Sequence, residues 1–164
     1  KESSAASDVY KRQGLGGEWS LNQMPLTKTP NLKSDKILDF SNRLEGYLSG
    51  KSIEKRFNEQ FNESISAKEI FSRYRKKDSN SILFINEYKD ILARCLVLIV
   101  TTLDPDAIVF GGGISNEIDF LDQIKKKTSS FINEPNLKTV FLKPKYGDAS
   151  GVRGAAILSR QSSI

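Results

Sequence analysis

From Leu44 onward the apolar positions fall at helical spacing. Leu44, Leu48, Ile53, Phe57 and Phe61 recur at intervals of four or five residues, the period that lays one stripe along a helix. The Ser49-Gly50 pair inside that run predicts a bend between two helical pieces. Ser66 precedes AKEIFSRYRKK and Glu69 stands three residues on, which predicts a helix opened by a capping box. A long helix is expected over SILFINEYKDILARCLVLIVTTLD, with Ile82, Ile85, Tyr88, Leu92, Cys95, Leu96, Ile99 and Leu103 on its buried face. Its second half is apolar nearly all round, so burial on several sides is expected there. The period then switches: AIVFGG reads as a strand, NEIDFLDQIKKKTSSFI as a helix, TVFLKP as a strand and the stretch from Asp148 as a final helix. In that last segment Gly151, Gly154 and Ala155 give the backbone a bare stripe for lying against something flat. Helices followed by strand, helix, strand and helix define an α/β layer in which helices cover a sheet.

The chain before Leu44 has a different texture. GLGGEWSLNQMPL reads as a glycine-rich turn with a short extended piece, and TKTPNLKSDK as a polar loop. Lys1 to Gln13 carries no hydrophobic period. Its DVYKRQ resembles a translated transposon end of the kind used in sequencing libraries. Residues 1–13 are therefore expected to be a leader foreign to the natural protein, with an ordinary frayed terminus as the alternative; native codons running on upstream in an unfragmented clone would remove the first reading. Residues 14–164 form one domain, and no internal repeat is visible.

Charge and cysteine content narrow the classes. The 164 residues carry a formal charge of +5, but the bases are interleaved with acids, as in EKRFNEQFNE and RYRKKDSN, so the expectation is a solvated surface and no nucleic-acid partner. Cys95 is the single cysteine and lies inside LARCLVLIVTTL. A disulfide framework is excluded, and a small core hydrophobe in a reducing compartment is expected. The same apolar run is too short and too interrupted, by Arg94 and two threonines, to span a bilayer. A cytoplasmic protein without a membrane partner is the natural expectation.

The chemistry-bearing feature is DPDAIVFGGGISN, where a strand runs into Gly111, Gly112 and Gly113 before a helical start. Glycines there leave backbone N–H groups uncovered, so a phosphate or a planar base can approach closely. The pattern is neither the dinucleotide fingerprint nor a P-loop, and taken alone it is better explained by a plain tight turn than by a ligand loop.

LDPDAIVFGGG and GDASGVRGAAIL, preceded in order by GGEW and LEGYLSG, together resemble the C-terminal lobe of the ROK family of sugar kinases and sugar-sensing repressors, and its fructokinase-like members above all. The resemblance covers Gly14 to about Leu158. It implies the actin-like, ribonuclease-H-like ATPase fold, of which this chain is the C-terminal lobe only, with helices covering a mixed sheet. It further implies an ATP-dependent hexose kinase using Mg2+, with homodimers common among relatives. Gly111, Gly112 and Gly113 match the loop against the adenosine part of ATP. Glu18 and Glu45 match acids that bond sugar hydroxyls, a fitting use of carboxylates because charge-assisted bonds orient a ring. Read without the resemblance, Glu18 beside Trp19 is a turn residue and Glu45 an acid favoured at a helix start.

Two departures qualify what the resemblance implies. The family's structural zinc is held by one histidine and three cysteines, whose positions here carry Leu21, Lys36, Leu38 and Arg43. With no histidine and one cysteine in the chain, a zinc site of that kind is chemically excluded, and the loop from Thr27 to Arg43 is expected to be held by packing alone and to be looser than in zinc-bearing relatives. Second, the family's catalytic aspartate and phosphate-binding glycine loops belong upstream of this stretch, so no catalytic residue is assigned here. The chain by itself is expected to be inactive, since half a cleft cannot position both substrates. A sugar-responsive repressor of the same family, or a degenerate sugar-binding module without catalysis, are the alternatives.

Overall fold

The computed structural model describes residues 44–147 together with Arg153, Ala156 and Ile157. The expected leader, the extended piece at Gly14 to Leu26, the Thr27 to Arg43 loop and most of the segment from Asp148 lie outside the described residues; Arg153, Ala156 and Ile157 within that last segment are helical, as expected.

Across residues 44–147 the described elements are, in order, α1 (Glu45–Leu48), α2 (Gly50–Phe61), α3 (Ala67–Arg75), α4 (Ser79–Leu103), β1 (Ala107–Val109), a 3-10 turn (Gly113–Asn116), α5 (Leu121–Ile132) and β2 (Val140–Leu142). The expected bend falls at Ser49, which is extended at ψ 153° while its hydroxyl accepts the Ser52 amide to open α2. Ser66 caps α3 by accepting the Glu69 amide at 3.2 Å. The reciprocal half of the capping box is replaced, because the Glu69 carboxylate accepts from Arg73 instead and the Ala67 amide bonds Glu54 Oε2. Asp78 opens α4, accepting from both the amide and the hydroxyl of Ser81.

The core gathers where α2, α3, α4 and the approach to α5 meet. Ile53, Phe57, Ile70, Phe71, Phe84, Ile85, Tyr88 and Ile124 are closed off from solvent. The buried face of α4 differs from the expected one at its ends. Ile82 is half-buried and Leu103 is 59% exposed, whereas Phe84 and Lys89 are buried. Twenty-five residues is a long run for one straight face, and the stripe is set by whichever neighbour each turn meets: α2 and α3 at the start, α5 further along.

β1 and β2 pair in parallel, with Ile108 opposite Phe141 and Val109 opposite Leu142. Ile108, Phe110 and Phe141 turn inward onto the core. Val109, Val140 and Leu142 face outward and are 57%, 47% and 43% exposed, so among the described residues helices cover one side of the sheet. The helix expected from Asn116 starts later, at Leu121. Ile118 and Phe120 are both 3% exposed, and Arg75 holds Glu117 through its carbonyl and, at 3.0 Å, its carboxylate. Tertiary contacts thus pin these residues outside the helix for which their sequence pattern is suited.

Candidate functional site

Gly111, Gly112 and Gly113 follow directly on β1, where the Phe110 amide makes the last bond to β2 through the Leu142 carbonyl. Gly112 has φ +83° and ψ 171°, a backbone region open in practice to glycine alone. The turn then closes through the Gly112 carbonyl, which accepts from the amide of Ser115 at 3.0 Å and from its hydroxyl at 2.7 Å. Ser115 is buried, so this bond anchors the loop from below.

The loop is bare on its outer side. Among the described residues, a Cβ added at Gly111, Gly112 or Gly113 meets no atom within 4 Å, and all three residues are exposed. Packing among the described residues therefore does not demand the absence of side chains at 111 and 113. It leaves room for an external group, and the planar, phosphate-bearing shape of a nucleotide fits such a backbone surface.

Gly50 behaves differently. A Cβ there comes within 3.2 Å of Ile114 Cδ1 and Cγ1, so the start of α2 rests directly on the turn after the glycine loop. Glu45 stands five residues earlier, exposed, in the first turn of α1. The structure thus sets the short helix of Glu45 and the glycine loop on adjoining elements. That adjacency escaped the sequence, where Gly50 signalled only a bend. Glu18 lies outside the described residues.

Other candidate chemistry is quiet. Burial pushes the Cys95 thiol up to about 12, which suits an inert core position beside Leu44, Tyr47 and Ile91. Among the described residues no group of three or more His, Cys, Asp and Glu side chains is placed to hold a metal ion, and no helix is long and apolar enough to cross a membrane. Several bases in the mixed-charge helices are paired: Lys55 with Glu59, Arg73 with Glu63 and Glu69, Arg75 with Glu117.

A parallel strand pair backed by helices, with an open glycine loop at the end of its first strand, is one lobe of an actin-like ATPase fold. Residues 41–162 match the ROK family model, and the chain belongs to the ROK family. It is 36% identical over 115 residues to the N-acetyl-D-glucosamine kinase of Erwinia tasmaniensis, covering 70% of this chain and 38% of that protein. The N-acetyl-D-glucosamine kinase of Photobacterium profundum is 32% identical over 150 residues, 88% of this chain and 50% of that protein. Among solved structures, a ROK family protein from Streptococcus pneumoniae in complex with sucrose superposes with a TM-score of 0.71 at 22% identity, over 93% of this chain and 50% of that one. A ROK family glucokinase from Streptomyces griseus in complex with glucose and AMPPNP gives 0.64 at 24% identity, over 73% and 45%. The chain thus spans half or less of the length of these relatives.

Proposed function

We propose that residues 14–164 form the C-terminal lobe of an ATP-dependent hexose kinase, in which the Gly111–Gly113 backbone takes the nucleotide and Glu18 and Glu45 take the sugar. The observation that carries this reading is the glycine loop, whose missing side chains leave open space in a chain of the ROK family. ATP with Mg2+ supplies the phosphoryl group that passes to a sugar hydroxyl. The part of this chain is to bind and orient. Gly112 holds the backbone turn that no other residue adopts without strain, Ser115 fixes that turn from beneath, and each carboxylate accepts two sugar hydroxyls in one plane. The proton-accepting aspartate and the phosphate loops belong to upstream sequence, so the 164-residue chain alone does not turn over sugar. Fructokinase-like wording in the sequence and relatives named for N-acetyl-D-glucosamine give different acceptors, and fructose, glucose and N-acetyl-D-glucosamine form the test panel. A homodimer in the cytoplasm, without nucleic-acid or membrane partners, completes the proposal.

The test is a Gly111→Val substitution in the whole kinase. A Cβ at this position meets no atom of the described residues within 4 Å, so melting should be unchanged while the KM for ATP rises about tenfold or more, the cost of obstructing one well-made contact. Unaltered ATP kinetics would refute nucleotide contact at this loop. A second expectation concerns the absent zinc ligands: EDTA should leave the melting temperature unmoved, and stoichiometric zinc by elemental analysis would overturn it.

A further inference from the structure

Tyr146 is a large aromatic side chain that stays 49% exposed at the end of the sheet that carries the glycine loop. β1 and β2 are parallel, with Val109 opposite Leu142, so the residues after both strands emerge at one edge, where open α/β sheets take their ligands. Gly111 to Gly113 follow β1, and residues 143–147 follow β2. The second stretch is a tight turn. Its Gly147 amide donates to the Pro144 carbonyl at 3.4 Å, and Gly147 has φ +54°, a conformation that favours glycine. That turn lies against the first loop: a Cβ added at Gly147 comes 3.8 Å from Asn116 Oδ1, at the end of the 3-10 turn that starts at Gly113. Lys145 and Tyr146 therefore occupy the two central positions of a turn beside the glycine backbone.

The ring is also held. Arg153 Cζ lies 3.9 Å from its centroid, the separation of a guanidinium laid on one face. Lys145 Nζ is farther off, at 5.6 Å. With one face under a guanidinium, the exposed half of the residue falls on the other face and the rim. A fixed aromatic face flanked by the exposed cations Lys143, Lys145 and Arg153 suits a flat heteroaromatic ring that carries an anionic tail. We infer that Tyr146 is the stacking surface for the base of the nucleotide, and that Arg153 is a positioning residue that holds the ring from behind. The inference rests on the nucleotide reading of the glycine loop and adds to it the residue that takes the base. Bare backbone lets a ribose or a phosphate come close but offers a base no π surface, and the neighbouring turn supplies one.

Dissociation constants for ATP and for inorganic tripolyphosphate, which carries the charge without the base, test it. They are read from amide shifts of the isotope-labelled 164-residue chain. Tyr146→Ala should weaken ATP about tenfold or more and leave tripolyphosphate unchanged, while Tyr146→Phe, which keeps the π face, should bind ATP as the parent does. Arg153→Gln should weaken ATP in the parent and add little to Tyr146→Ala, because it acts through the ring; additive losses would overturn its positioning role. Gly111→Val separates this inference from the reading beneath it. If Gly111→Val weakens ATP and Tyr146→Ala does not, base stacking is overturned and the glycine loop stands. If neither weakens it, or the parent chain does not bind ATP, both fall. Equal losses for ATP and tripolyphosphate in Tyr146→Ala would show a phosphate contact and overturn stacking. Should Tyr146→Ala fail to fold, Tyr146→Leu, which keeps bulk without a π face, decides by the same outcomes.

Discussion

Phe71→Ala is expected to remove about 3 to 5 kcal/mol of folding stability, a large share of the roughly 5 to 15 kcal/mol typical of a domain. Phe71 is fully buried and joins three elements. Its ring stacks on Phe120 at 6.3 Å with 15° between planes and meets Tyr88 edge-on at 6.3 Å. Truncation leaves a void lined by rings that cannot collapse inward, because Tyr88 lies mid-helix in α4 and Phe120 is held between the Arg75–Glu117 bridge and α5. The contrast is Leu83→Ala on α4, 60% exposed, which should stay within about 0.5 kcal/mol. Urea midpoints for the two variants make the comparison, and equal losses would mean that the Phe71 layer is not the core of this lobe.

The second large effect is expected at Lys89, and its sign depends on the replacement. The side chain is 1% exposed, yet its ammonium is met by neutral groups: it donates to the Tyr74 hydroxyl at 2.6 Å and to Gln123 Oε1 at 2.8 Å, and lies 4.6 and 4.4 Å from the Tyr74 and Phe120 ring centres. The aliphatic stem fills space between α3, α4 and α5 while the charge costs desolvation. Lys89→Ala loses the stem and should cost about 2 to 4 kcal/mol. Lys89→Met keeps the stem and drops the charge. Tyr74 is half-buried and Gln123 exposed, so both regain water partners, and this variant should lie within about 1 kcal/mol of the parent or above it. Thermal melting of both distinguishes the roles. A Met variant as unstable as the Ala variant would show that the ammonium's bonds, and not the stem, hold the three helices.

Both sites show where reading the sequence stops. The Ser66 cap, the bend at Ser49 and the inert burial of Cys95 are local or nearly so: a hydroxyl three residues from an amide, a helix period, a thiol in an apolar run. Each was legible. Lys89 was not, because what makes its burial tolerable comes from Tyr74 and Gln123, 15 and 34 residues away. The late start of α5 escaped for the same reason: the pattern from Asn116 suits a helix, but Ile118 and Phe120 enter the core outside one. The missing half of the expected capping box is a smaller case, in which Arg73 outcompetes the Ser66 amide for the Glu69 carboxylate.

At the candidate site the division falls within a few residues. The glycine run after a strand was visible, and so was a family resemblance that the match over residues 41–162 bears out. That Gly112 is conformationally required while Gly111 and Gly113 merely leave room could be told only from φ and from the empty space around them. Gly50 reads as a bend in the chain, and only the folded structure shows it also to be the close contact that seats Ile114 under the glycine loop.

The sequence by itself determined the order of helices and strands, the Ser66 cap and the class of fold, because periodicity and turn chemistry are properties of short stretches. Tertiary structure decided which face of α4 is buried, where α5 begins, how a lysine is housed without a carboxylate and which turn stands beside the glycine loop. Those outcomes turn on groups far apart in the chain competing for the same space and the same hydrogen bonds, and that competition exists only once the chain has folded.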